Sequence, residues 1–152
     1  MNRSGFSIVE LVMVIILLGV IAAIGFPRVR RAVDKANVRS TRVYLGTAAM
    51  TARQVAVARS CRGVVHLASA SGTVWVTVCP RLRPGVGTVD TLGPVEPLAA
   101  RYSVTLIASR DSVQFDPRGM SMDNAATTVR IQGKAPGDTD TVVINSLGKV
   151  MR

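Results

Sequence analysis

The apolar stretch from Leu11 to Phe26 constrains this chain most, because it contains no charged or strongly polar side chain. A helix over residues 6–26 would be about 30 Å long at ~1.5 Å per residue, which matches the hydrocarbon core of a bilayer. We therefore predict a membrane-spanning segment near the start of the chain. A secretory signal peptide, a plain single-pass anchor and a specialised processed anchor all contain such a segment, so the flanking residues must distinguish them.

The flanks of the apolar stretch give conflicting indications. Glu10 lies where the stretch begins, which is unusual for a signal peptide, although the triplet Ala23-Ile24-Gly25 would suit signal peptidase. Basic residues follow the stretch at positions 28, 30, 31 and 35, whereas only Arg3 and the α-amino group precede it. The positive-inside rule alone would therefore place the C-terminal part of the chain inside the cell.

Composition limits the rest of the chain to one modest domain. At 152 residues the chain is too short for a multidomain enzyme, and its 48% hydrophobic residues argue against disorder of the whole chain. Aromatic residues are only 4%, so Val, Ala, Leu and Ile must build the core, and Val favours strands. The net charge of +10 makes nucleic acid or anionic lipid a candidate partner.

Residues 28–60 fit an amphipathic helix that continues the membrane half, residues 6–27. No proline occurs between Arg28 and Arg59, and apolar residues recur there near helical spacing. The side predicted to face a sheet carries Val29, Val33, Ala36, Val43, Met50 and Val57. Nine basic residues and one acid, Asp34, lie between Arg28 and Arg62, which predicts a basic exposed face near lipid phosphates.

Residues 61–152 have the alternating pattern of a β-rich domain. Val64–Leu67 and Thr73–Cys79 predict a hairpin. If Cys61 and Cys79 pair, they close a loop of about 18 residues, which would stabilise the fold by roughly 3 kcal/mol in an oxidising compartment. Two free buried thiols are the alternative. His66 is the only histidine, so it makes a poor metal site and we interpret it as a strand residue.

The rest of this domain is divided by turn residues. Proline and glycine predict an exposed loop over Arg81–Pro97, and Asp116-Pro117-Arg118-Gly119 suits a type I turn. The predicted strands are Arg101–Ala108, Ser112–Phe115, Thr127–Gln132, Thr141–Asn145 and Lys149–Arg152. We therefore predict an α+β fold in which the long N-terminal helix packs on a small antiparallel β domain.

The sequence Gly5-Phe6-Ser7-Ile8-Val9-Glu10-Leu11 resembles the processing signature of type IV prepilins and pseudopilins. The resemblance implies that prepilin peptidase removes the leader, residues 1–5, after Gly5, and that the new N-terminal Phe6 is methylated. It also implies a cytoplasmic N-terminus in the inner membrane and a C-terminal domain outside, first anchored there and then carried in a pilus or periplasmic pseudopilus. This family orientation overrides the count of basic residues.

Glu10 matches the acidic residue that this family has at the fifth position after the cut. An ionised carboxylate within a membrane helix costs about 2.5–3.5 kcal/mol, so it needs a partner. The α-amino group of Phe6 on a neighbouring subunit is a suitable cation, and the pair would set the axial register of stacked helices. The alternative is that Glu10 snorkels into interfacial water.

The end of the chain resembles the GspH/FimT-like branch of minor pilins and pseudopilins, through Phe115-Asp116-Pro117-Arg118-Gly119 and the closing residues 145–152. In that branch a closing Gly-Arg-x-Arg sequence is tied to DNA binding. Gly148-Lys149-Val150-Met151-Arg152 has Lys for the first Arg and the second Arg displaced by one, which turns a strand side chain to the opposite face. The candidate DNA contacts are Lys149 and Arg152, then Arg118 and Arg130.

Two functional hypotheses follow. The first is a structural minor pilin or pseudopilin of a type IV pilus or type II secretion system, whose partners are other pilin subunits, prepilin peptidase and the inner-membrane assembly platform. The alternative is a minor pilin that binds double-stranded DNA for uptake. No catalytic constellation, phosphate-binding loop or metal-ligand spacing is visible in the sequence, so we predict neither enzymatic activity nor a cofactor.

Overall fold

The computed structural model describes residues 7–79, 90–123, 125–135 and 137–151. It divides into two compact units, Met1–Val33 and Asp34–Arg152. Helix α1, Ile8–Ala58, contributes to both units. The remaining elements are β1 Gly63–Ala68, β2 Thr73–Val78, β3 Asp90–Pro97, α2 Leu98–Tyr102, β4 Thr105–Ala108, β5 Ser112–Phe115, β6 Thr127–Gln132, β7 Thr139–Ile144 and β8 Val150–Met151.

The described part of the first unit consists of the start of α1. Its side chains are exposed nearly all round, including those of Ile8, Leu17 and Phe26. The helix is long and apolar enough to cross a membrane, with a mean hydropathy of 2.9 over its most apolar window and none of that window buried. A helix that is apolar on every side cannot be stable in water as a surface element, so this segment fits a single-pass membrane anchor.

Two antiparallel four-stranded sheets form the second unit. The strand orders are β3-β2-β1-β5 and β4-β6-β7-β8. The predicted hairpin is confirmed, since Val65 of β1 pairs with Val76 of β2 and both side chains are buried. Val, Leu and Ile side chains of both sheets join α1 in one core, so the predicted α+β fold is confirmed.

The face of α1 that packs in the core is not the predicted one. The helix buries Val38, Leu45, Ala49, Ala52 and Ala56, whereas the predicted face, Val29, Val33, Ala36, Val43, Met50 and Val57, is exposed. The physical reason is close packing. A side chain at Gly63 of β1 would collide with the carbonyl of Ala52, so only small residues suit the contact, whereas the prediction followed the larger ones.

The segment before β4 also differs from the prediction. Residues 80–89 of the predicted Arg81–Pro97 loop lie outside the described residues, but residues 90–97 form β3, so the loop prediction is wrong there. β3 is an edge strand, where prolines are tolerated, and its pairing with β2 shifts register between Val74 and Val76. The predicted strand from Arg101 begins too early, because α2 continues to Tyr102 and Ser103 then adopts a left-handed conformation.

The two cysteines form a disulfide. Cys61 follows the end of α1 and Cys79 follows β2, and their Cα atoms are 5.2 Å apart. The Cys79 backbone N–H also donates to the carbonyl of Arg62, at 2.8 Å. The predicted pairing is therefore confirmed, and the alternative of two free thiols is wrong.

Candidate functional site

The candidate assembly site lies in the first turn of α1. Gly5 and Phe6 are outside the described residues, and Glu10 is exposed among the apolar side chains of Ile8, Leu11 and Met13. Within the described residues no cationic group lies within 4 Å of the Glu10 carboxylate. In a bilayer this carboxylate would lie near the end of the apolar segment without a cationic partner among the described residues, which is a condition that favours pairing with a neighbour.

An arginine–aromatic contact marks the other end of the apolar segment. The guanidinium of Arg30 lies 4.2 Å from the centroid of the Phe26 ring, which is a cation–π contact. Such pairs suit a membrane–water interface, because the ring stays in an apolar layer while the charge stays hydrated. The apolar segment of α1 therefore lies between Glu10 and this contact.

Two tight turns form the second candidate site. In the first, Asp116 Oδ1 accepts hydrogen bonds from the backbone N–H groups of Arg118 and Met120, at 2.9 and 2.8 Å. In the second, Asn145 Oδ1 accepts from the N–H groups of Leu147 and Lys149, at 3.1 and 2.7 Å. Asp and Asn side chains stabilise turns in this way, so both turns have a defined geometry.

The two turns pack against each other through glycines. Gly148 has a φ of +76°, and a Cβ there would lie 3.0 Å from the carbonyl oxygen of Gly119. Gly119 has a φ of +79°, and a Cβ there would lie 3.0 Å from Nε of Arg53. Any side chain at either position would therefore push the turns apart or displace Arg53.

This packing brings the backbone positions of two exposed basic residues close to the side chain of a third. Arg118 precedes Gly119, Lys149 follows Gly148, and Arg53 lies over Gly119. Within the described residues, none of the three has a carboxylate within 4 Å. We call Arg53, Arg118 and Lys149 the basic cluster.

The other predicted DNA contacts are not part of this geometry. Arg152 lies outside the described residues, and Arg130 is an exposed residue in the middle of β6, where it pairs with Ile107 and Thr141. Sequence reasoning missed Arg53, because its place beside Gly119 depends on the packing of α1 and has no local signal.

His66 is the remaining residue that the sequence analysis considered as a metal ligand. Its ring stacks on Trp75 of β2 at 4.8 Å between centroids, and Nε2 lies 2.9 Å from Oγ1 of Thr77. Partial burial lowers the pKa of His66 below its usual value, which favours the neutral ring. Over the described ranges, no group of three or more His, Cys, Asp or Glu residues could hold a metal ion.

Comparison with known proteins supports one family. The family model of type II transport protein GspH matches residues 45–148, which is more than half of the chain. Comparison with curated proteins found no significant match. Two crystal structures of the type IV minor pilin FimU from Pseudomonas aeruginosa strain PAO1 share the fold. One aligns with a TM-score of 0.59 and 13% identity over 75% of this chain and 86% of FimU. The other gives 0.57 and 13% over 74% and 90%.

The matched region agrees with the structure described above. It begins within α1, at Leu45, and ends at Gly148, so it includes the disulfide, β1 to β7, the first turn of the second site and all of the second turn except Lys149. The apolar start of α1 precedes the matched region and fits a pilin anchored by a single membrane-spanning helix. The chain therefore belongs to the type II transport protein GspH family, and it is a minor pilin or pseudopilin.

Proposed function

We propose that this chain is a minor subunit of a type IV pilus or type II secretion pseudopilus, cleaved after Gly5 and assembled through α1. The observation that carries the proposal is an anchor helix that is apolar on every side and has one carboxylate, Glu10, with no cationic group within 4 Å of it among the residues that the structure describes. An anchor that only held the domain at the membrane would have no use for that costly group.

Assembly then proceeds in four physical steps. Insertion of the apolar segment keeps the subunit in the inner membrane, with its N-terminus in the cytoplasm. Cleavage by prepilin peptidase exposes a cationic α-amino group on Phe6. That group pairs with Glu10 of a neighbouring subunit, so that burial of both charges becomes favourable only at one axial offset. The assembly platform then moves the subunit out of the membrane, and the β domain faces outward.

Fractionation of the native host tests this proposal. We expect the chain in filaments sheared from the cell surface, or in purified secretion pseudopili, and we expect it to leave that fraction when prepilin peptidase is deleted. An unrelated single-pass membrane protein is the control and should stay with the membranes in both strains. Retention of this chain in membranes under all conditions would contradict the proposal.

Binding of double-stranded DNA is a second candidate function, favoured by the basic cluster. Arg53, Arg118 and Lys149 come from α1 and two turns, and the packing of Gly119 and Gly148 places the backbones of Arg118 and Lys149 close to the side chain of Arg53. Exposed cations without an ion-pair partner among the described residues suit the evenly spaced phosphates of a duplex. The only tryptophan, Trp75, is stacked on His66, which disfavours capture of single strands by base stacking.

A salt series on the full chain in a non-ionic detergent tests the second function. Replacing Arg53, Arg118 and Lys149 by alanine should weaken duplex binding at least tenfold and reduce the salt slope by about 3, at ~0.9 per phosphate contact. The matched control replaces Lys35, Arg39 and Lys134, which removes the same charge elsewhere. Equal loss in both variants would indicate generic charge attraction, and no binding by the unaltered chain would exclude this function.

A further inference from the structure

A cavity of about 440 Å³ lies between α1 and the turn that joins β6 to β7. This volume is within the range of small-molecule sites in proteins, which is roughly 300–1,000 Å³. Most of the side chains around the cavity are charged or polar, so it suits a polar ligand. The lining residues are Lys35, Val38, Arg39 and Arg42 of α1 and residues 137–140 of the turn and β7.

Hydrogen bonds hold the turn beside the cavity in place. The buried carboxylate of Asp34 accepts a hydrogen bond from the backbone N–H of Ala135. The Gly133 N–H donates to the carbonyl of Asp138 at 2.8 Å, and the Asp138 N–H donates to the carbonyl of Ala135 at 3.3 Å. A Cβ at Gly133 would lie 3.1 Å from Oδ2 of Asp34 and from Cγ2 of Val38, so the turn packs closely on α1. The cavity therefore has a defined wall on this side.

One ion pair joins the two walls of the cavity. The guanidinium of Arg42 donates to Oδ2 of Asp140 at 2.7 Å, and both side chains are partly buried. The other carboxylate oxygen of Asp140, Oδ1, accepts from the backbone N–H of Thr141 at 2.8 Å. Both oxygens of Asp140 are therefore engaged, and its charge is matched by that of Arg42.

Lys35, Arg39 and Asp138 carry the other charges that line the cavity. Within the described residues, none of the three has an oppositely charged group within 4 Å. Lys35 and Arg39 are four residues apart, so they are neighbours on one side of α1. The helix wall thus offers two cations and the turn wall offers one carboxylate.

A ligand that fits this arrangement carries charges of both signs. Guanidinium and ammonium groups bind phosphate oxygens, so a phosphodiester suits Arg39 and Lys35. A primary ammonium has three N–H donors and suits the carboxylate of Asp138. A purely anionic ligand would be repelled by that carboxylate. A quaternary ammonium is typically bound by a cage of aromatic rings, and no aromatic side chain is among the described lining residues.

We propose that this cavity binds a phosphoethanolamine group, in which two carbons join a phosphodiester to a primary ammonium. Lys35 and Arg39 bind the phosphate, and Asp138 accepts hydrogen bonds from the ammonium. Two sources supply such a group: the headgroup of phosphatidylethanolamine in the membrane that anchors the chain, and a free phosphoethanolamine ester in solution. The inference goes beyond the proposed function and does not depend on assembly into a filament.

Calorimetry on the full chain in a non-ionic detergent tests the site with soluble probes. The probes are glycerophosphoethanolamine, glycerophosphocholine and glycerophosphoglycerol, which share the phosphodiester and differ in the group attached to it. We expect the ethanolamine ester to bind about tenfold more tightly than the other two, and such a difference needs only about 1.4 kcal/mol. Equal binding of all three would mean that the carboxylate on the turn wall plays no part.

Substitutions then test the two walls separately. Asp138→Asn should weaken binding of the ethanolamine ester about tenfold and remove its preference over the choline ester. The turn should keep its structure, because only backbone groups of Asp138 take part in its hydrogen bonds. Arg39→Gln should weaken binding of the ethanolamine ester by a similar factor. Asp111→Asn and Arg130→Gln are the matched controls, since both residues are exposed and outside the cavity, and should leave binding unchanged.

Native mass spectrometry identifies the source of the group. The chain is mixed with equal amounts of phosphatidylethanolamine, phosphatidylcholine and phosphatidylglycerol with the same acyl chains. Adducts enriched in phosphatidylethanolamine, and no such enrichment for Asp138→Asn, would support the site with the membrane as its source. Selectivity among the soluble esters alone would support the site with a free ester as its ligand. Absence of a preference for ethanolamine in both assays, or equal effects of Asp138→Asn and Asp111→Asn, would overturn the inference.

Discussion

Replacing Glu10 by alanine is expected to leave the chain inserted and processed, but to reduce its amount in sheared filaments at least tenfold. The change makes the anchor more apolar, so membrane insertion should not suffer. What it removes is the carboxylate that the α-amino group of a neighbouring Phe6 needs once both are in an apolar layer. A buried charge without its partner costs several kcal/mol, and a tenfold loss needs only 1.4.

The controls separate charge from shape at this position. Glu10→Gln keeps the size of the side chain without its charge and should fail like the alanine variant, whereas Glu10→Asp keeps the charge and should retain part of the incorporation. Membrane and sheared fractions are compared by immunoblot at equal expression. Normal incorporation of the alanine variant would show that Glu10 snorkels into water and has no role in register.

Removing the disulfide is expected to lower the free energy of unfolding by about 3 kcal/mol, for a closed loop of about 18 residues. That is a large share of the free energy of unfolding of a typical domain, which is roughly 5–15 kcal/mol. The bond joins the end of α1 to the end of β2, so its loss also frees the helix end from the first sheet. Cys61→Ala/Cys79→Ala is compared with the unaltered chain by urea denaturation.

A redox control makes this second prediction specific. Reduction with dithiothreitol should lower the stability of the unaltered chain by a similar amount and leave the double variant unchanged. If the unaltered chain unfolds at the same urea concentration with and without reductant, the bond contributes nothing and the prediction is wrong.

The fold could be predicted from the sequence where periodicity is strong. Strands β5 and β6 have the predicted bounds, because buried and exposed residues alternate along both, as at Thr127–Gln132. For α1 the helical periodicity predicted the wrong buried face, because the prediction followed the large apolar residues. Those residues face outward, whereas the alanines face the sheet. Periodicity also failed for β3, because prolines and glycines are typical of loops and only the edge position explains how this strand tolerates them.

The residues of the candidate sites could likewise be predicted only in part from the sequence. Arg118 and Lys149 were predicted from the basic charge of the chain and from the resemblance of its end to the GspH/FimT-like branch. Arg53 could not be predicted, since its position beside Gly119 is set by the packing of α1 in the folded domain. The residues at the start of the chain are the opposite case, because the processing signature around Gly5 depends on recognition by a peptidase and not on the fold. The cleavage therefore remains a prediction, and it is tested by finding the first residue of the purified protein.

The most direct test of the account is the intact mass of the protein purified from the membranes of its native host. We predict a chain that starts at Phe6, with one methyl group added to its α-amino nitrogen, and that loses two hydrogens through the disulfide. A chain that starts at Phe26 would show cleavage by signal peptidase after Ala23-Ile24-Gly25, and a chain that retains Met1 would show a plain anchor. Either of these two masses would contradict the account, because a chain that retains Met1 has no α-amino group at Phe6, and a chain that starts at Phe26 lacks both Phe6 and Glu10.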